Sequence, residues 1–185
     1  MTIAATNTNA PRIWAGCLAC YNEGNLVGLW AQANEAKYVS PQDVHDASEV
    51  AYLADTPGHD ELWVFDHENL PIPGECDLRA ISPWAEAYAE LDNDDLWPAY
   101  LVWCTDVAGD TTPPDTRMFL EAYRGTWNDR EDFAREQFDA LDVTAGMTEE
   151  QRRYFDVEAW SRDFFLDYHV CDAPGGGVYI FDARV

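Results

Sequence analysis

The chain has 185 residues, 47% hydrophobic and 14% aromatic, and carries 35 Asp and Glu against 11 Lys and Arg for a net charge of −24. The aromatic content excludes a disordered acidic tail, and the length admits one ordinary domain or two or three small ones. The charge excludes a surface that captures nucleic acid or anionic membrane directly, and it favours basic partners.

The opening MTIAATNTNA has neither a basic n-region nor an apolar h-region, so no signal peptide is read there. No apolar run approaches the roughly 18 residues of a membrane helix. The five cysteines (17, 20, 76, 104, 171) are odd in number and scattered. That pattern points to free thiols in a reducing cytoplasm.

RIWAGCL (12–18) reads as a first strand and LVGLWAQA (26–33) as a second, with YNEG and Asn25 as turn residues between them. In SPQDVHDASEVAYLAD, Ser40 suits a helix N-cap, Pro41 the first helical position and Asp43 the first turn. ELWVFD (61–66) reads as a third strand, and PIPGECD (71–77) as a boundary. Beyond it the period changes to 3.6. Trp84, Tyr88 and Leu91 form one apolar stripe, with Glu86 and Glu90 opposite, behind a Ser82-Pro83 start. A second, largely buried helix is expected from Asp95 to Val107, with Leu96, Tyr100, Trp103 and Val107 as its stripe. DNDD (92–95) then links the two helices, and Asp94 and Asp95 sit where the macrodipole favours anions.

GDTTPPD (109–115) reads as a further boundary. LEAYRGTW (120–127) reads as a strand, and NDREDFAREQFDAL as a helix with an Asn128/Glu131 capping-box-like start. MTEEQ repeats that device at Thr148/Gln151. DVEAWSRDFF is a helix with Val157, Trp160 and Phe164 on one face, and YHVCD and GVYIFD flank an APGG hairpin.

The fold class expected is α+β. Three small domains are expected: residues 1–69 as an antiparallel sheet with a short helix, 70–110 as an acidic helical bundle, and 111–185 as a three-stranded sheet with helices. The acid is uneven among similar blocks. Residues 61–110 hold 12 acids and one base, against 7 and 2 in residues 1–60 and 16 and 8 in residues 111–185.

Catalytic motifs are not found. With 35 carboxylates, any dyad is easy to imagine, so proximity in sequence carries no signal. DNDDL fails as a calcium loop, because the turn glycine is absent and position 12 falls on Trp103. CLAC (17–20) is the one CxxC. It lies across the end of an expected strand, and no further ligands stand at motif spacing, so it reads as buried cysteine with no metal. GGG (175–177) lacks the GK[ST] and helix of a phosphate loop.

The acids themselves are more ordered. Asp129, Asp132, Glu136 and Asp139 are spaced +3, +4, +3, a single helical stripe about 15 Å long. Its charge spacing is of the order of one strand of duplex DNA, about 3.4 Å per phosphate. The whole-chain charge equals the bare phosphates of about 12 base pairs. Arg130 and Arg135 dilute the stripe. Two rival readings are a salt-adapted acidic scaffold, which fits the single lysine, and a small cytosolic acidic hydrolase.

Several stretches resemble the ArdA-type antirestriction proteins of mobile elements. RIWAGCLACYNEGNLVGLW is similar to the family's opening, VFDHENLP to the end of its first domain, and NDREDFAREQ, YFDVEAWSRDF and GGGVYIFD to its C-terminal domain. The resemblance runs from Pro11 to Val185. Phe164-Phe165 departs from it, since smaller aliphatics are expected there.

The resemblance implies an elongated, dimeric, acidic DNA mimic. It would occupy the DNA groove of a type I restriction–modification enzyme and protect an incoming plasmid or transposon, with no cofactor and no bond broken. The carboxylates expected on the mimic surface are Glu86, Glu90, Asp92, Asp94, Asp95, Asp129, Asp132, Glu136, Asp139, Asp156, Glu158 and Asp163. Phe119 and Tyr123, opening the third block, are the expected homodimer contact.

Overall fold

A computed structural model describes residues 9–109, 113 and 115–185. Most of GDTTPPD lies outside the described residues, as does most of MTIAATNTNA. The chain forms two compact units, one ending at Thr116 and one spanning Arg117–Val185. Both combine antiparallel strands with helices, so the class is α+β.

In the first unit β1 (Arg12–Cys17) is followed by a five-residue helix, α1 (Leu18–Asn22), and then β2 (Gly28–Gln32). CLAC therefore does open a helix, against expectation, with Cys17 at the N-cap position. The glycine of LVGLW has a steric reason: a Cβ on Gly28 would stand 2.4 Å from the Trp14 ring and 2.7 Å from the Ala15 carbonyl oxygen.

A 3₁₀ segment (Ala33–Tyr38) leads to α2 (Pro41–Ala47), which Ser40 caps as expected. The Asp43 N–H donates to Ser40 Oγ at 3.2 Å, and the Ser40 N–H to the Asp43 carboxylate at 2.9 Å. β3 (Leu62–Glu68) joins β1 on its other side, and with β4 (Cys76–Asp77) the sheet order is β2-β1-β3-β4. PIPGECD does not end the sheet, because its last residues form β4 (Cys76–Asp77), paired with Val64 and Trp63.

α3 (Ser82–Leu91) carries the expected stripe: Trp84 and Leu91 are buried and Tyr88 half-buried, while Glu86 and Glu90 are exposed. α4 (Trp97–Val102) begins later than expected and passes into a π-helical turn (Trp103–Ala108). Tyr100 and Trp103 are buried, as the stripe requires, but so is Trp97, which lies outside it. The Trp97 indole N–H donates to the Asn69 carbonyl at 2.9 Å, and its ring lies 5.1 Å from Tyr88 and 5.4 Å from Tyr100. A buried indole with a partner for its one donor costs no unmet hydrogen bond.

α5 (Thr116–Ala122) starts on the last residue of the first unit and continues into the second, so the first three residues of LEAYRGTW are helical and only β5 (Tyr123–Trp127) is strand. Phe119 and Ala122 are both buried, three residues apart on one helix face, and this outweighs the β propensity nearby. Then follow α6 (Arg130–Ala140), α7 (Glu149–Arg153), α8 (Val157–Phe164), β6 (Tyr168–Asp172) and β7 (Val178–Asp182). The sheet order is β5-β7-β6. The β6–β7 hairpin is the expected one. Its Gly177 takes φ +82°, where a Cβ would meet the Trp127 carbonyl oxygen at 2.3 Å.

Phe133, Ala134, Phe165 and Ile180 form the core beneath this sheet, with Trp127, Trp160, Phe164, Tyr168, Val170 and Val178 packed around it. Phe164 and Phe165 both contact the Phe133 ring, at 5.7 and 6.3 Å between centroids. The two large rings at this departure from the family thus serve packing.

Among the described residues no helix is long and apolar enough to cross a membrane. Among the described residues one acid, Asp182, is buried. The Asp182 side chain, 5% exposed, accepts from Arg184 at 2.8 Å and Arg124 at 3.0 Å. Arg184 first, and Arg124 with it, hold this carboxyl far below the usual range. A carboxyl depressed on folding stabilises the fold at every pH above its unfolded value, about 3.9, and that stability disappears as pH falls through the depressed folded value. Asp182→Asn should lower stability at pH 7 by about 2 kcal/mol. In urea titrations the gap to wild type should narrow steadily below about pH 4.

Candidate acidic interaction surface

Two stretches display the acids, one in each unit. In the first, the turn between α3 and α4 is braced by its own side chains. Asp92 ends α3 in the left-handed conformation, at φ 44°. Asn93 accepts from the Asp95 N–H at 3.0 Å, and the Tyr88 hydroxyl donates to the Asp94 carboxylate. Asn9 reaches the Asp94 carbonyl at 3.4 Å. Glu90 accepts from the Thr116 hydroxyl at 2.8 Å. Glu86, Glu90, Asp92, Asp94 and Asp95 are all exposed. Short side chains on a hydrogen-bonded turn beside buried Trp84 and Trp97 have little freedom to lose when a partner binds.

In the second unit the expected capping box moves by one residue. Asp129, not Asn128, caps α6, accepting from the Asp132 N–H at 2.8 Å. Asn128 instead donates to Asp132 at 2.8 Å, and Arg135 pairs with the same carboxylate at 2.8 Å. These two partners, Asn128 foremost, lower the Asp132 carboxyl below its usual range. Of the four-residue stripe, Asp132 is thus half-buried and neutralised by Arg135, while Asp129, Glu136 and Asp139 are exposed. Asp156 caps α8, accepting from the Ala159 N–H at 2.9 Å, with Glu158 in the first turn. Asp163 is exposed but paired with Arg162 at 3.0 Å.

The arginines on these helices are held within the unit. Arg130 lies over the Phe165 ring at 4.1 Å, so it offsets less of the surface charge than its place in the sequence suggests. Eleven of the twelve expected carboxylates are exposed. Six of them, Glu86, Asp92, Asp95, Glu136, Asp139 and Glu158, have no side-chain hydrogen bond or ion pair among the described residues.

The model of the antirestriction protein (ArdA) family matches residues 13–179. The chain belongs to the ArdA antirestriction family. A search of curated proteins found no match. The matched range includes both acidic stretches and reaches into both sheets.

Phe119 and Tyr123 come together, their rings stacked at 5.3 Å, with Phe181 within 6.3 Å of both. Phe119 is fully buried within the unit and Tyr123 half-buried, whereas Met118 and Leu120 beside them on α5 are exposed.

The fold brings Cys17 and Cys20 together with His45 and His59, which stand at no motif spacing from them in the sequence. Their ligand atoms lie within 4.8 Å of one another, and all four residues are buried. The cysteine pair was visible as CxxC. The histidines were not, because the cluster closes over 25 and 39 residues of chain through α2 and the approach to β3.

The acids that cap helices have two roles, and substitution separates them. Asp129→Ala and Asp156→Ala should each cost about 1 kcal/mol in urea unfolding, whereas Asp129→Asn and Asp156→Asn, which keep a capping oxygen, should cost a few tenths at most. Glu136→Gln and Asp139→Asn should leave stability within about 0.5 kcal/mol of wild type.

Proposed function

We propose that this ArdA-family protein blocks type I restriction–modification enzymes by presenting fixed carboxylates where those enzymes expect DNA phosphates. The observation that supports this most directly is the set of exposed carboxylates held on braced turns and helix starts. An enzyme groove that binds DNA offers Lys and Arg to phosphates. Carboxylates placed in it release counterions as the duplex would. Because the acids are already positioned, little side-chain entropy is lost on association.

No base edge is offered, so the protein should inhibit enzymes of different sequence specificity. No bond is broken and no cofactor takes part in this reading. The setting is the cytoplasm of a cell receiving a mobile element. The working form is a homodimer, with the α5–β5 corner, Tyr123 and the exposed Met118 and Leu120, as its contact.

Recognition on this account is spread over many weak pairs. An exposed ion pair contributes about 0.2–1 kcal/mol, so any one Asp→Asn or Glu→Gln change should weaken inhibition by at most about fivefold. Replacing Glu86, Asp92, Asp95, Glu136, Asp139 and Glu158 together should abolish it while the circular dichroism spectrum and unfolding midpoint hold. One isosteric substitution that abolished inhibition in a folded protein would refute the distributed contact.

A further inference from the structure

Cys17, Cys20, His45 and His59 reach a common point from four places in the first unit: the end of β1, the first turns of α1, the last turn of α2, and the loop before β3. Cys17 Sγ lies 3.5 Å from His59 Nδ1. Cys20 Sγ lies 3.3 Å from the same nitrogen and 3.8 Å from His45 Nε2. In a tetrahedral zinc centre, bonds of about 2.3 Å to sulfur and 2.0–2.1 Å to nitrogen place neighbouring S and N ligands about 3.5 Å apart. The three sulfur–nitrogen distances match the S–N edges of such a tetrahedron.

Ordinary hydrogen bonding accounts for the arrangement less well. A neutral imidazole nitrogen offers one lone pair, yet both sulfurs crowd His59 Nδ1. His45 is oriented from behind: its Nδ1–H donates to the Pro41 carbonyl at 2.6 Å, which leaves Nε2 as the bare nitrogen facing the sulfurs. A backbone carbonyl on the far nitrogen is the usual support of a metal-bound histidine.

We propose that these four side chains form a closed structural site for a zinc-class divalent cation. Two thiolates and two neutral imidazoles around a doubly charged ion sum to zero, so the centre can sit in an apolar interior without a stranded charge. Its surroundings are apolar: Val27 and Val44 are buried with the cysteines, and Ala19, Leu29, Leu53 and Leu62 pack against them. Four protein ligands leave no open position, so the centre holds structure and performs no catalysis. It ties the 48–61 segment, whose regular structure is one 3₁₀ turn (Ala51–Leu53), to β1 and α2. The inference stands apart from the antirestriction reading, because the acids of the proposed contact surface lie on other elements.

The test uses the full chain purified without chelator. Elemental analysis should find one zinc per chain. Cobalt titrated into metal-free protein should produce tetrahedral d–d bands and a thiolate-to-cobalt charge-transfer band, saturating at one equivalent. Cys17→Ser and His59→Ala should each weaken cobalt binding by more than about a hundredfold, beyond the usual effect of losing a supporting residue. Cys76→Ser, outside the cluster, should bind as wild type does. If the ligand variants do not fold, the wild-type stoichiometry and band positions, with the Cys76→Ser control, still decide the matter. A wild-type protein that shows no stoichiometric metal and no thiolate–cobalt band would overturn the proposal. So would bands that persist in the Cys17→Ser/Cys20→Ser double variant.

Discussion

The structure depends on one opposition: a net charge of −24 repels itself, and aromatic packing holds the chain together against that repulsion. Each unit answers with large buried rings. Trp84, Trp97 and Tyr100 do so in the first, and Phe119, Phe133 and Phe181 in the second. A fully buried side chain of this class contributes about 1.5–3 kcal/mol, well above the fractions of a kcal/mol lost per pair of exposed like charges. The surface can therefore stay acidic without a matching set of lysines.

The same constraint decides where acids are placed. Asp43, Asp129 and Asp156 stand at helix starts, where backbone N–H groups and the macrodipole welcome them. Asp92, Asp94 and Asp95 occupy a turn whose geometry is held by Asn93, Tyr88 and Asn9. The acids are thus built into the local structure that displays them. A partner with a basic groove meets a surface that is already arranged, and the protein's own folding supplies the arrangement.

Legibility in the sequence followed the range of the interaction. Local devices read correctly: the Ser40 and Thr148 capping boxes, the Trp84–Tyr88–Leu91 stripe and the hairpin around APGG all depend on residues within a few positions. Errors arose where a distant contact decided between local choices. Burial of Phe119 and Ala122 made 120–122 helix, and pairing with β3 drew Cys76–Asp77 into the sheet. The Asn128/Asp129 cap was misplaced because both residues cap well, and only the hydrogen bond to Asp132 separates them. The exposure of most of the expected acids was legible, since a charged side chain on the polar face of an amphipathic helix has nowhere else to go. The exception is Asp132, half-buried and paired with Arg135 at i,i+3, the residue already seen to dilute the stripe. The Cys–His cluster was the least legible feature, since its spacing matches no compact motif.

The central claim is that the protein occupies a DNA site by charge. The direct measurement is displacement of labelled duplex DNA from a type I methyltransferase by the purified protein, repeated across ionic strengths. The account predicts complete, mutually exclusive competition, with the protein's own affinity falling linearly on a log–log salt plot as a duplex's does. Binding that leaves the DNA in place, or an affinity indifferent to salt, would contradict it.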